Sequence, residues 1–240
     1  KTVESRNFQV RKSVLEYDDV MNKQRNIIYD ERRKVLDGED IRSQILGMIE
    51  EFVQSTVVDG FAGRTVDNQQ DLDEALQPFE RLFMRRGALK LSELGGRLNA
   101  DKATELLSDM AEKVYEAREN AFGISPNGSP LMREIERVIM LRVVDEYWMD
   151  HIDAMSELKR GIGLRGYGAV KPIDAYKQEG FEMFENMIAA IQEETLRRLF
   201  LVRIQQNQEV KRERVAKITG ESAGGDGTVK RQPTRVIKIG

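Results

Sequence analysis

The chain has no cysteine among its 240 residues, a single histidine, a single tryptophan and only five prolines. Without cysteine it holds no disulfide, thiolate metal site or cysteine nucleophile, which fits a reducing compartment. One histidine, His151, gives no partner for a histidine metal site, so no metal site is expected. The prolines (Pro78, Pro126, Pro130, Pro172, Pro233) leave long windows free of a helix breaker. No apolar run reaches the ~20 residues that cross a bilayer. Aromatics are only 7% while charged residues are 33%, the balance of long solvated helices around a modest core. A net charge of −3 lacks the strong basic face of a dedicated nucleic-acid binder. Lys1 opens inside a helical pattern with neither methionine nor N-cap, so the expectation is a segment of a longer polypeptide.

What is present is helical periodicity. Between Lys1 and Leu36 there is no glycine or proline, and Val3, Val10, Val14, Tyr17, Met21, Ile28 and Val35 recur near a heptad. That spacing predicts one rod of ~50 Å at ~1.5 Å rise per residue. Asp37-Gly38 stops it, and Asp40 is placed to cap a second helix to about Asp59 carrying Ile41, Ile45, Met48, Ile49, Phe52 and Val53. The glycines from Gly60 to Gly96 cut the next stretch into short helices, the clearest being Asp71–Met84. Asn99 caps another helix from Ala100 to about Ala121, and Gly123–Pro130 is a loop and a subdomain border. Ser129 reads as N-cap and Pro130 as first residue of a long helix with Leu131, Ile135, Val138, Leu141, Val144, Trp148, Ile152 and Met155 on one face. Ile139, Met140, Val143 and Tyr147 widen that face. Pro172 starts a second long helix with Ile173, Tyr176, Phe184, Met187, Ile191, Leu199 and Val202, and the two form an antiparallel hairpin. From Arg203 onward nine Lys/Arg face four Asp/Glu, and the glycine cluster near Gly224 marks a flexible basic tail.

Between the hairpin helices lies Gly161-Ile162-Gly163-Leu164-Arg165-Gly166-Tyr167-Gly168. It matches GxGxxG, but that fingerprint needs a strand before it and an acid ~20 residues beyond, and a long amphipathic helix precedes it here. Tyr167 and Gly168 stand where a P-loop needs Lys and Ser/Thr. Two readings remain: a plain helix reversal, or a binding tip presenting Tyr167 between flexible glycines. His151 reads as a hydrogen-bonded structural histidine, since no nucleophile or oxyanion site accompanies it. Asp18 and Asp19 form a solvated or docking face rather than a cation site. The mixed charges along the first rod, including Arg6, Arg11 and Arg25, read as surface salt bridges or a docking stripe.

Two separate runs carry a resemblance. VESRNFQVRKSVLEYDDVMNKQRNIIYDERRKVL (Val3–Leu36) resembles the long scaffold helix of SecA, the ATP-driven motor family of bacterial protein secretion. LRVVDEYWMDHIDAMSELKRGIGLRGYG (Leu141–Gly168), followed by Asp174-Ala175-Tyr176-Lys177 and Phe181-Glu182-Met183-Phe184, resembles that family's two-helix finger. The stretch from about Ile45 to Gly128 is similar only in position and helical content, as the family's wing.

The resemblance implies an all-α fold: a long scaffold helix packed with an antiparallel two-helix finger, a small helical wing subdomain and a flexible C-terminal tail. The implied borders are 1–44 for the long scaffold helix, 45–129 for the wing, 130–205 for the finger and returning scaffold helix, and 206–240 for the basic linker. It implies that Tyr167, Leu164 and Arg165 contact the moving polypeptide and the channel, with Gly161, Gly163, Gly166 and Gly168 as the tip's hinge. Trp148, Tyr147, Ile152 and Met155 would pack and regulate finger against scaffold, and Arg6, Arg11, Asp18, Asp19 and Arg25 would dock motor domains. The segment itself is expected to hydrolyse no ATP and to hold no cofactor. ATP and magnesium belong to the family's nucleotide-binding domains, and zinc to its cysteine-containing tail. Implied partners are those domains, the SecYEG channel and preproteins, with a SecA homodimer and anionic lipids as further partners, at the cytoplasmic face of the plasma membrane. The alternatives are a stand-alone helical adaptor and a nucleotide-dependent enzyme using the glycine loop.

Overall fold

A computed structural model describes residues 2–38, 41–162 and 171–203, with the side chains of 2–10 and 13 excepted. Six helices follow in order: α1 Thr2–Asp37, α2 Ile41–Phe61, α3 Gln69–Leu82, α4 Ala100–Phe122, α5 Leu131–Ile162 and α6 Pro172–Leu201. The chain divides into Lys1–Leu201, which holds all six, and Val202–Gly240, of which only residues 202 and 203 are described. The all-α reading holds: among the described residues there is no strand, only the isolated bridges of Val66 with Leu98 and Ile124 with Pro130.

The periodicity that predicts the helices also fixes what they bury. In α2 the buried set is Ile41, Ile45, Ile49, Val53, Val57 and Phe61, a strict four-residue step that lays one narrow ridge into its neighbours. In α4, Ala103, Leu107, Ala111 and Tyr115 repeat the step and meet α2. Asn99 caps α4 by accepting from the Lys102 amide at 3.1 Å. Asn68 does the same for α3 through the Asp71 amide at 2.9 Å, so that helix starts two residues earlier than its sequence pattern suggests. Gly38 follows α1 at φ +81°, the left-handed conformation that suits glycine at a helix end. Pro130 differs from expectation: it is bridged to Ile124, with the Leu131 amide donating to the Gly123 carbonyl at 2.9 Å, and α5 begins at Leu131.

α1, α5 and α6 form a three-helix layer. Gly180 of α6 sits against Met155 of α5, and Phe184 against His151, so later α5 residues meet earlier α6 residues and the hairpin is antiparallel. Arg198 closes its far end with a fork onto Glu146 at 2.6 Å and 3.2 Å. Four polar links run along α1 and α5 in opposite chain order: Asp18 with Lys159 at 3.2 Å, Gln24 with His151 at 3.0 Å, Arg32 with Asp145, and the Val35 carbonyl with Arg137 at 3.3 Å. The long helix is thus antiparallel to α5 and runs alongside α6. α3 and α4 each pack on α2, with α2 and α3 touching α6 and α2 and α4 touching α5; Phe83 after α3 lies 5.7 Å from Phe200 between ring centroids.

Candidate functional site: the joint between the long helix and the hairpin

The sequence stripe on α1 steps seven residues from Met21 to Ile28 and passes over Gln24. The structure buries Gln24 at 6% exposure, among the apolar contacts of that same face. Its amide is matched on both sides. Nε2 donates to the Gly180 carbonyl of α6 at 2.9 Å, and Oε1 lies 3.0 Å from His151 Nε2 of α5. A carbonyl only accepts, so the amide's NH2 must face Gly180 and its oxygen must face the imidazole. His151 Nε2 therefore carries its proton and donates. Burial holds the imidazole pKa below its ordinary value, which favours the neutral ring. The expected structural role of His151 is what the geometry gives.

Around this bond the aromatic residues stack. Trp148 lies over His151 at 5.7 Å with planes 28° apart, and Phe184 meets His151 edge-on at 5.7 Å. Toward the hairpin tip, Met155, Ile162 and Tyr176 form a buried cluster joined by Tyr17, Val20 and Met21 of α1. Gly180 makes the close approach possible. A Cβ there would stand 2.7 Å from Met155 Cε and 3.3 Å from its Sδ. Of the residues expected at this joint, Trp148 and Met155 are buried, while Tyr147 and Ile152 are half-buried at its edge.

Other expectations shift. The buried residues of the first half of α5 are Met132, Glu136, Ile139, Met140 and Val143, whereas Val138 is 43% exposed. Leu141 and Val144 are half-buried, and the widening residues Ile139, Met140 and Val143 lie inside with Trp148 and Met155, so of the expected face Val138 alone is exposed, while the buried acid Glu136 was not expected. Asp18 pairs with Lys159 across the joint, Asp19 pairs with Lys23 on its own helix at 3.0 Å, and Arg25 donates to Asn22. Of the basic docking candidates, Arg11 is exposed, and the side chain of Arg6 lies outside the described residues. Gly161, the first of the expected hinge glycines, belongs to α5, which continues through a buried Ile162. Gly163, Leu164, Arg165, Gly166, Tyr167 and Gly168 lie outside the described residues, as does Asp40.

A second buried polar cluster joins α2, α4 and α5. Tyr115 donates to Glu136 at 2.6 Å, and Arg133 reaches the Tyr115 hydroxyl at 2.7 Å and Glu119 and Glu136 at 3.0 Å each. Arg42 adds ion pairs to Glu116 and Glu119. Glu136 is fully buried, and burial pushes its carboxyl up to about 7 against the opposing pull of Tyr115 and Arg133. Among the described residues no group of His, Asp and Glu is arranged to hold a metal, and no helix is long and apolar enough to cross a membrane. The arrangement fixes one long helix, a hairpin and the α2–α4 helices against each other.

A frame of three long helices, with three further helices between the first and second of them, is the all-α architecture that this geometry defines. Residues 1–203 match the model of the SecA wing and scaffold domain. The chain is 43% identical over 237 residues to protein translocase subunit SecA of Clostridium acetobutylicum, covering 98% of this chain and 27% of that protein. It is 46% identical over 215 residues to the same subunit of Pelotomaculum thermopropionicum, covering 89% and 24%. With the subunit of Finegoldia magna it shares 43% over 238 residues, covering 99% and 25%. The chain belongs to the SecA wing and scaffold family, and it spans about a quarter of the length of these curated relatives.

Proposed function

We propose that this chain is the scaffold, wing and two-helix finger of a preprotein translocase motor, the part that couples ATP-driven domains to movement of a polypeptide through the SecYEG channel. The observation that carries this reading is the chain of four links from Asp18–Lys159 to Val35–Arg137, with Gln24 and His151 at its buried centre. A force or displacement applied to α1 reaches the hairpin without an intervening flexible loop. In this reading Tyr167, with Leu164 and Arg165 beside it, touches the passing chain. An aromatic with a hydroxyl gives apolar and hydrogen-bonding contact to many sequences. ATP and magnesium act in nucleotide-binding domains outside this segment, and zinc in a separate tail; the segment hydrolyses nothing by itself. Exposed parts of α1 receive the motor domains. The assembly works at the cytoplasmic face of the membrane, where the basic tail from Arg203 suits anionic lipid and a second SecA copy is a further partner.

The test is site-specific photocrosslinking. A photoreactive residue at position 167 of the full-length protein should link to a preprotein stalled in the channel, while one at exposed Val58 of α2 should not. Equal labelling from both positions, or none from 167, would overturn the assignment of the tip. Added to a SecA motor portion lacking this segment, the chain should bind it and change its ATP turnover.

A further inference from the structure

Gln24 is the one described side chain whose hydrogen bonds reach two other helices from a buried position on a third. An isoleucine or leucine at this place would fill the stripe and require no partner. The amide instead requires two, since a buried polar group is costly unless matched. Both bonds depend on direction. The imidazole is a side chain of α5 and the carbonyl is main chain of α6, so a slide of either helix along α1 by one residue, ~1.5 Å, breaks one or both. The apolar neighbours Val20, Met21 and Met155 tolerate such a slide far better, because dispersion contacts have no preferred register. Met155 over the bare Cα of Gly180 brings α6 close enough for the carbonyl to be reached.

We propose that Gln24 is a positioning residue, a latch whose paired hydrogen bonds select one register of the hairpin on the long helix and so carry displacement from one to the other. This rests on the hairpin being the finger of a translocase motor. Each bond lost should change the ratio of latched to slipped registers roughly fivefold.

The molecule supplies its own reporters, because His151 is the sole histidine and Trp148, stacked on it, the sole tryptophan. Nitrogen NMR of the 240-residue chain should show a single imidazole protonated at Nε2, with a slowly exchanging proton. Gln24→Leu should give mixed tautomers while circular dichroism stays helical. Gln24→Glu restores the acceptor but not the donor; it should return the Nε2 tautomer and raise the pH at which Trp148 fluorescence responds to the imidazole. In full-length protein, Gln24→Leu should lower preprotein transported per ATP about fivefold with ATP turnover in the absence of preprotein within about twofold, and Gln24→Glu should recover part of it.

A wild-type Nδ1 tautomer overturns the latch at once. So does a Gln24→Leu protein with altered tautomer and unchanged transport per ATP, which would leave a purely structural contact and the finger reading intact. If Gln24→Leu does not fold, the wild-type tautomer and the Gln24→Glu transport yield still decide the matter. Should Tyr167→Ala also transport normally, the finger reading itself fails, separately from the latch.

Discussion

Replacing Glu136 by glutamine should stabilise the chain above neutral pH and do little below about pH 5. The carboxyl is fully buried, its pKa is raised from 4.5 to about 7, and the first cause is burial, which penalises the charged form. Tyr115 on α4 and Arg133 on α5 pull the other way, as does Arg42 on α2, while Glu119 on α4 adds repulsion. For an acid with a raised folded pKa, the unfolded chain releases its proton first. Between about 4.5 and 7 the folded state therefore holds one more proton, and stability falls as pH rises. A difference of about 2.5 pKa units corresponds to roughly 3 kcal/mol, most of it lost between about pH 5 and pH 8. The glutamine side chain in the Glu136→Gln variant keeps the acceptor for the Tyr115 hydroxyl, and its NH2 replaces Oε2, which has no hydrogen-bond partner. Urea unfolding at about pH 5, 6, 7 and 8 measures the effect. The expected result is a wild-type curve that declines by about 2–3 kcal/mol across that range, and a variant curve flatter by most of that amount. A variant less stable than wild type by about 1 kcal/mol or more at pH 8 would refute the reasoning, because it would make the ionised pair with Arg133 the favoured form.

Three further sites bear on packing and capping. Met155→Ala removes a 1% exposed side chain from the tip-side cluster and should cost about 2–5 kcal/mol in urea unfolding. Gly180→Ala should be nearly neutral, within about 1 kcal/mol, since the gain in helix propensity offsets moving the flexible end of Met155; Gly180→Val, with two more methyls there, should cost about 1–3 kcal/mol. Asn99→Ala removes the α4 cap and should lower stability by about 1 kcal/mol, with faster amide exchange at Lys102.

Helices were legible in the sequence because their apolar residues recur at three and four, and their ends carry asparagine, glycine or proline. The pairing of α5 with α6 followed from two long amphipathic stretches joined by a short turn. The joint itself was only half legible. Trp148 and Met155 announce themselves as large apolar residues on a stripe. Gln24 does not, because a glutamine on a helix is ordinarily solvated, and only a partner 127 positions away makes it part of a core. The usable signal was the gap it leaves in the α1 stripe between Met21 and Ile28. Gly180 was hidden for a related reason: a glycine inside a proline-led helix has no turn to explain it, and its use appears only when Met155 is placed over it. Glu136 is the least legible of the three, since an acid within an apolar face reads as the edge of that face, yet it is fully buried beside Ile139, Met140 and Val143.

The return of the chain to the long helix has a consequence for how this molecule is assembled. Arg137 donates to the Val35 carbonyl, and its guanidinium lies 3.8 Å from where a Cβ on Gly38 would stand. The polypeptide leaves the frame and re-enters it at nearly one point, so the segment from Ile41 to Phe122 is a parenthesis in the frame's own sentence. Closure entropy grows only slowly with length, about 0.6 kcal/mol per doubling. That parenthesis is therefore open to change in length, provided its contents still cover Leu199 and Phe200 at the end of α6 and still supply the Tyr115 and Glu119 partners of Glu136 and Arg133 on α5.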